Sequence, residues 1–260
     1  MSLSLPLRLA LAATAAGSAA GLFFSGVQSI DSLPLLMSAE HFDLYAHNHS
    51  GATLSPRGHL HDSAAHPPAD LMLRTLFRFV SDAVIGIGFA MILCAAIFLH
   101  NHHTHHPTAS APMGIIWGLA GYLTFYLAPA LIYPPRTPAT DLLTSHHDIS
   151  VWKHQLTWLC AALSTGVGLA LIAYGDKTKK LTGGLLLLAL PVLVSFNSDP
   201  LHTMLDQHRV TRLIEVTEQH YRYSAHLSNL LFWLALGVLS AYTTGRAVSD
   251  HPTTEPEPEP

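Results

Sequence analysis

Six apolar blocks, most of them about twenty residues long, alternate with polar stretches along the chain. They run from Leu5 to Val27, Phe77 to Leu99, Met113 to Tyr133, Leu156 to Tyr174, Leu181 to Phe196 and Leu227 to Tyr242. A bilayer core about 30 Å thick needs about 20 residues of helix to cross it. The pattern therefore predicts an all-α, polytopic transmembrane helix bundle of six spans joined by His-rich loops. The fifth block is short and carries Pro191, so five spans is the other reading. Pro129 and Pro191 each remove a backbone donor, which spanning helices tolerate where neighbours re-satisfy the freed carbonyl. One transmembrane domain over 1–246 is expected, with a polar loop at 31–74. A disordered tail of alternating Glu and Pro is expected over 247–260.

The first block, with Arg8 and many small residues, also fits a signal peptide. Its length and its Gly17-x-x-x-Gly21 spacing favour a retained helix that packs closely on a neighbour. The second and fourth blocks echo one another, in Gly86-Ile-Gly-Phe-Ala90 and Gly166-Val-Gly-Leu-Ala170. Internal repeats are common in transporter folds.

Composition agrees with the blocks. The chain of 260 residues is 49% hydrophobic and 12% charged, where soluble domains average about 25% charged. Net charge is −4 and no basic patch is present, so nucleic acid is not an expected partner; membrane lipid is. Cys94 and Cys160 lie inside apolar blocks, where packing is the expected role. Six spans put Arg8, Lys177, Lys179, Lys180 and Arg246 on one side and eight Lys and Arg on the other. Basic residues in short loops weigh most in setting orientation. The dense Lys177 to Lys180 turn therefore favours a cytoplasmic N-terminus, against the raw count.

Histidine changes the picture. The chain holds 19, against 17 Asp plus Glu, and imidazole is the commonest protein ligand for transition metals. The first loop carries Glu40, His41, His47, His49, His59, His61 and His66 among Pro, Ser and Gly. Such a loop can wrap one ion or hold several weakly. The second cluster, His100, His102, His103, His105 and His106, directly follows the second span. Its His102-x-x-His105-His106 matches one histidine box of membrane di-iron enzymes. Those enzymes need several boxes, so histidine density explains the match. Sparser sets are His146, His147 and His154, then His202, His208, His220 and His226. For these, polar positions on interfacial helix faces are as good a reading as ligands. Pro200 to Tyr221 has the apolar spacing of an amphipathic helix lying on the membrane surface. Within the spans, ionisable groups mark pathways by default. Asp82, one turn into the second block, is the clearest case; pairing with Arg78 is its structural alternative.

The order of these pieces resembles the CbtA family of predicted cobalt transporter subunits. The resemblance rests on the small-residue first helix ending near Leu35-Leu36-Met-Ser-Ala-Glu40, then Thr75-Leu-Phe and Gly86-Ile-Gly-Phe-Ala90. It continues through Gly114-Ile-Ile-Trp-Gly-Leu-Ala-Gly121, Leu127-Ala-Pro-Ala-Leu131, Pro134-Pro135, Trp158 and Gly166-Val-Gly-Leu-Ala-Leu171. It ends in Leu231-Phe-Trp-Leu-Ala-Leu-Gly-Val-Leu-Ser240. It covers roughly residues 5–245. It implies a bacterial inner-membrane protein of five or six spans, with a small single-span, His-bearing CbtB-like partner. It also implies cobalt uptake in support of cobalamin synthesis. The chain departs from the pattern at Asn197-Ser-Asp-Pro200, where Gly-Ala-Pro is expected, and at His100 to His106, where relatives tend to be basic.

The leading expectation is thus a membrane subunit for uptake of a transition-metal ion as substrate, with cobalt first and nickel, zinc or copper as alternatives. Glu40 and the six first-loop histidines would capture the ion, and His100, His102, His103, His105 and His106 would receive it. Asp82 and the glycine-rich second and fourth helices would line the route. The competing readings are a membrane metalloenzyme or haem protein, and a metal sensor without transport. Because every histidine reads as lying in a loop or at a helix end, the sequence favours a protein that is not an enzyme. No nucleotide-binding motif is present.

Overall fold

A computed structural model describes residues 4–30, 68–104, 111–136, 151–196 and 210–249. The expected all-α class holds: the described residues form helices and no strand. We number them α1 (Leu5–Ile30), α2 (Pro68–Thr104), α3 (Ala111–Ile132), α4 (Val151–Tyr174), α5 (Lys177–Phe196) and α6 (Val210–Ser249). Five are long and apolar enough to cross a membrane. The sixth, α5, has only a short apolar stretch, Lys180–Ala189.

Two helices exceed their apolar blocks furthest. α2 begins at Pro68, nine residues before Phe77, so 68–74 is helix where loop is expected. α6 begins at Val210 and has 40 residues, about 60 Å at 1.5 Å each. The amphipathic stretch ending at Tyr221 is therefore, from Val210, the opening of the last spanning helix and not a separate surface helix. Both extensions are rich in good helix formers such as Leu, Arg, Glu and Gln, which carry the helix past the apolar limit.

The helices gather in two compact units. In the first are α1 to Ser25, α2 from Phe77, α3 to Tyr122 and α6 from Leu230. The face that α1 turns inward is made of small residues: Ala13, Ala16, Gly17, Ala20 and Gly21 are buried, while Leu11, Leu22 and Phe23 stay exposed. Large side chains of α2 and α6, Ile97, Trp233 and Leu236, fill the rest of the interior. Lipid is as apolar as leucine, so the α1 contact is held by close backbone approach and not by burying large side chains. Gly17 meets the backbone of Gly86 and Ile87, and Gly21 that of Asp82 and Ala83. The Gly17-x-x-x-Gly21 spacing thus packs α1 on α2. α3 and α6 cross where Gly114 and Gly118 face Gly237, Val238 and Trp233. The Trp233 ring fills the space beside Gly121 and tilts against Phe89 at 4.8 Å between centroids. Cys94 is buried beside the Ser240 carbonyl, in the packing role expected of both cysteines, whereas Cys160 is exposed.

The second unit holds the end of α1, the end of α3, α4, α5 and the start of α6. α4 and α5 form a tight hairpin through Gly175 and Asp176, with Gly168 against Gly184. α3 widens to π-helix over Tyr122–Leu127, then returns to α-helix at Ala128–Ile132. Pro129 lies just beyond the wide segment; it cannot donate to the carbonyl four residues back, and its ring pushes that carbonyl away. A π segment is one way a helix absorbs such a break. α5 runs through Pro191 as helix.

The echoed glycine pairs differ in use. Gly86 packs against Gly17, while a Cβ added at Gly88 would meet nothing within 4 Å; a Cβ added at Gly166 would lie 3.3 Å from Thr124 Cγ2, and Gly168 packs on Gly184.

Candidate functional site

Small residues at every fourth position of α1 build the first polar site. Gly17, Gly21 and Ser25 share one helix face, and the two glycines let α2 come close enough for the Ser25 hydroxyl to reach Asp82. Ser25 donates to Asp82 Oδ2 at 2.5 Å, a short hydrogen bond between two helices. Ser25 is fully buried. Arg78, one turn before Asp82, places Nε 3.9 Å from the same oxygen and donates from Nη2 to the Ser25 carbonyl at 3.4 Å. The carboxylate side chain is 14% exposed. Counted from Pro68, Asp82 stands nearly four turns into α2, deeper than the one turn expected. The pairing with Arg78 is real, and Ser25 adds a partner from another helix. One carboxylate is thereby held in a fixed orientation with most of its surface covered by protein.

The second cluster is only partly described. α2 continues as helix through His100, His102 and His103, so these three point in different directions around its axis. His100 lies edge-on to Trp117, with ring centroids 5.7 Å apart. His102 stacks on Phe98 at 6.4 Å, with His103 at 6.0 Å. Cationic imidazole is also favoured at a helix C-terminus. Glu40, His41, His47, His49, His59, His61, His66, His105 and His106 lie outside the described residues. So do His146, His147, Asn197, Asp199, His202, His208 and residues 250–260. Among the described residues no three of His, Cys, Asp and Glu come together as a metal site.

α6 carries functional-looking residues that the sequence undervalues. His226 is not at a helix end; it sits inside the spanning segment Val216–Ser249. Its ring packs edge-on against Tyr126 at 5.5 Å, and its Nδ1 is buried with no hydrogen-bond partner among the described residues. One turn earlier, Arg222 Nε is 3.5 Å from Glu218 Oε1, and Glu218 is only 6% exposed. The 218, 222 and 226 spacing of four was visible as a polar helix face. Nothing in it disclosed that Tyr126, a hundred residues away, covers that face.

The model of one protein family, described as probable cobalt transporter subunit (CbtA), matches residues 7–245. No curated protein and no solved structure matches the chain.

Proposed function

The chain belongs to the CbtA family of probable cobalt transporter subunits, and on that premise we propose that it is the membrane subunit of a cobalt uptake system. The observation that carries this reading is the extent of the family match, which runs from α1 to α6 and so includes every described helix. Glu40, His41, His47, His49, His59, His61 and His66 capture the ion outside. Asp82 offers it a fixed carboxylate within the helices. His100, His102, His103, His105 and His106 receive it on the cytoplasmic side, with the N-terminus also cytoplasmic. The membrane is the bacterial inner membrane. The partner is a small, single-span, His-bearing CbtB-like subunit, and the cobalt serves cobalamin synthesis. Transport needs sites that also release. Imidazoles on a loop meet that need better than a rigid tetrahedral cage.

Copper and nickel outrank cobalt at open imidazole sites, so the choice of cobalt lies in the geometry of the route. Nickel, zinc and copper are the competing substrates to include in the assay. Cells expressing the chain with its partner should accumulate labelled cobalt, and alanine at the six first-loop histidines should lower the initial rate several-fold. Accumulation equal to that of cells lacking the chain would remove the transport reading and leave a sensor. Full uptake by the six-alanine variant would remove the capture role alone.

A further inference from the structure

His226 is an imidazole inside the spanning segment Val216–Ser249 that the ion route above leaves unused. Its Nδ1 is covered by protein and has no hydrogen-bond partner among the described residues. We propose that His226 is a proton-binding site, served by water in the cavity beside it, and that the chain takes up a proton together with its ion. The inference rests on the uptake reading above and names the co-substrate that drives it.

A histidine kept for packing normally engages its buried ring nitrogens with partners. Within a span, ionisable groups mark proton relays and pathways by default. The surroundings of this ring suit such a task. It lies edge-on to Tyr126, with 5.5 Å between centroids. Tyr126 belongs to the π segment of α3, a kind of turn frequent at functional positions. Among the described residues, the charged and titratable groups around His226 are Arg222 and Glu218 on its own helix and Tyr126 on α3. Tyr221 stands further along the cavity wall, and α1 brings only the uncharged Gln28. Arg222 and Glu218 pair with one another, so a proton taken by His226 is a net change in the charge of this face.

Access comes from a cavity of about 180 Å³ within the second unit. It reaches from Gln28 and Pro135, near the ends of α1 and α3, to Tyr126 and to Ala225, the chain neighbour of His226. Along α6 it extends from Tyr221 to Asn229, about 12 Å at 1.5 Å per residue. Its polar groups are mixed in kind. Ser228 Oγ and Asn229 Nδ2 donate to the Ala225 carbonyl at 3.3 and 2.9 Å, and their oxygens still accept. The amide and phenol groups of Gln28, Tyr126 and Tyr221 both donate and accept. Such a wall matches water, which does both, and at about 30 Å³ per water the volume holds a short chain of it. Tyr126 both lines this cavity and packs on the imidazole. Movement of its ring opens the covered Nδ1 to that water. Hydronium then gives up its proton: an O–H bond breaks, an N–H bond forms and neutral water remains. Return of Tyr126 closes the proton in. With the N-terminus cytoplasmic, the ends of α1 and α3 face outward, so proton and ion load from the same side.

Two measurements on the full-length chain test this. In lipid nanodiscs, histidine-labelled protein is titrated by NMR; the signal missing from His226→Gln, or displaced in Ala225→Leu, identifies the residue. That signal should titrate between about pH 5 and 8. In proteoliposomes holding the chain and its partner, with the membrane potential clamped, acid outside should raise the initial rate of labelled cobalt uptake several-fold. An enclosed pH dye should report protons entering with the cobalt. His226→Gln should lose both responses. Ala225→Leu fills the cavity and keeps the imidazole, so it should blunt them even if His226→Gln fails to fold. A His226 signal that does not titrate overturns the proposal, as does cobalt uptake by the parent without proton entry. An acid response of parental size in either variant overturns it too. Absence of cobalt uptake by the parent, with His226 titrating, overturns the transport reading and leaves the proton site standing.

Discussion

Gly237→Val should prevent folded protein from accumulating. A Cβ at Gly237 would stand 2.5 Å from Gly118 N and 2.6 Å from Gly118 Cα, and closer still to the Gly114 carbonyl. All three are backbone atoms of α3, so no side chain can rotate out of the way. The helices must separate along the whole crossing. The same separation pulls Trp233, 2% exposed, away from Gly121 and Phe89. Overpacking a tight contact costs about 1–3 kcal/mol and at times more. A backbone-to-backbone clash belongs at the upper end, and total stability of a domain is only about 5–15 kcal/mol. The measurement is monodisperse yield in detergent together with thermal stability by size exclusion. Gly88→Ala is the control. Its added Cβ meets nothing within 4 Å, and its stability should stay within about 0.5 kcal/mol of the parent. Equal losses for the two variants would sink the idea that α3 and α6 are held by glycine contact.

Asp82→Ala should cost both abundance and uptake, and the two losses should separate in companion variants. Removing the carboxylate takes from Arg78 its ion-pair partner and from the buried Ser25 hydroxyl this acceptor. Breaking a buried pair from one side costs about 3–5 kcal/mol. Arg78 is 23% exposed and also bonds the Ser25 carbonyl, so about 3 kcal/mol or less fits better here. The double variant Arg78→Ala with Asp82→Ala should recover most of the abundance, because it strands no charge. Asp82→Asn should fold better than Asp82→Ala, since the amide still accepts from Ser25 while only the counter-charge beside Arg78 is lost. If Asp82 touches the ion, Asp82→Asn should nevertheless lose most uptake. Stability of the single alanine variant equal to that of the double would mean that no charge is stranded. Normal uptake by Asp82→Asn would take Asp82 off the route.

The helices were readable because lipid imposes a simple rule: about twenty apolar residues in a row. Their true ends were not. Helices α2 and α6 run on through Arg74, Arg78, Glu218 and Arg222, where local helix preference, and not apolarity, decides. The spacing of Gly17 and Gly21 announced close packing, and it occurs. The same spacing extended to Ser25 without announcing Asp82, since a repeat of four names a face and not the helix opposite. For the same reason His226 read as a helix-end residue. Its neighbour Tyr126 is set by the second unit's packing beside the π turn before Pro129, and no local pattern reports that. All seven residues expected to capture the ion lie outside the described residues, so their role rests on imidazole chemistry and on family membership.

The α4–α5 hairpin has a consequence for biogenesis. Its turn is two residues, Gly175 and Asp176, and closes with Gly175 N to Leu171 O and Lys180 N to Asp176 O, each at 2.9 Å. α5 opens on Lys177, Lys179 and Lys180 and has a short apolar stretch, which makes it a poor substrate for the insertion machinery by itself. Its partner α4 is a competent one. Insertion of α5 is therefore expected to draw on its pairing with α4 through Gly168 and Gly184, so the number of crossings follows from helix pairing as well as from hydropathy.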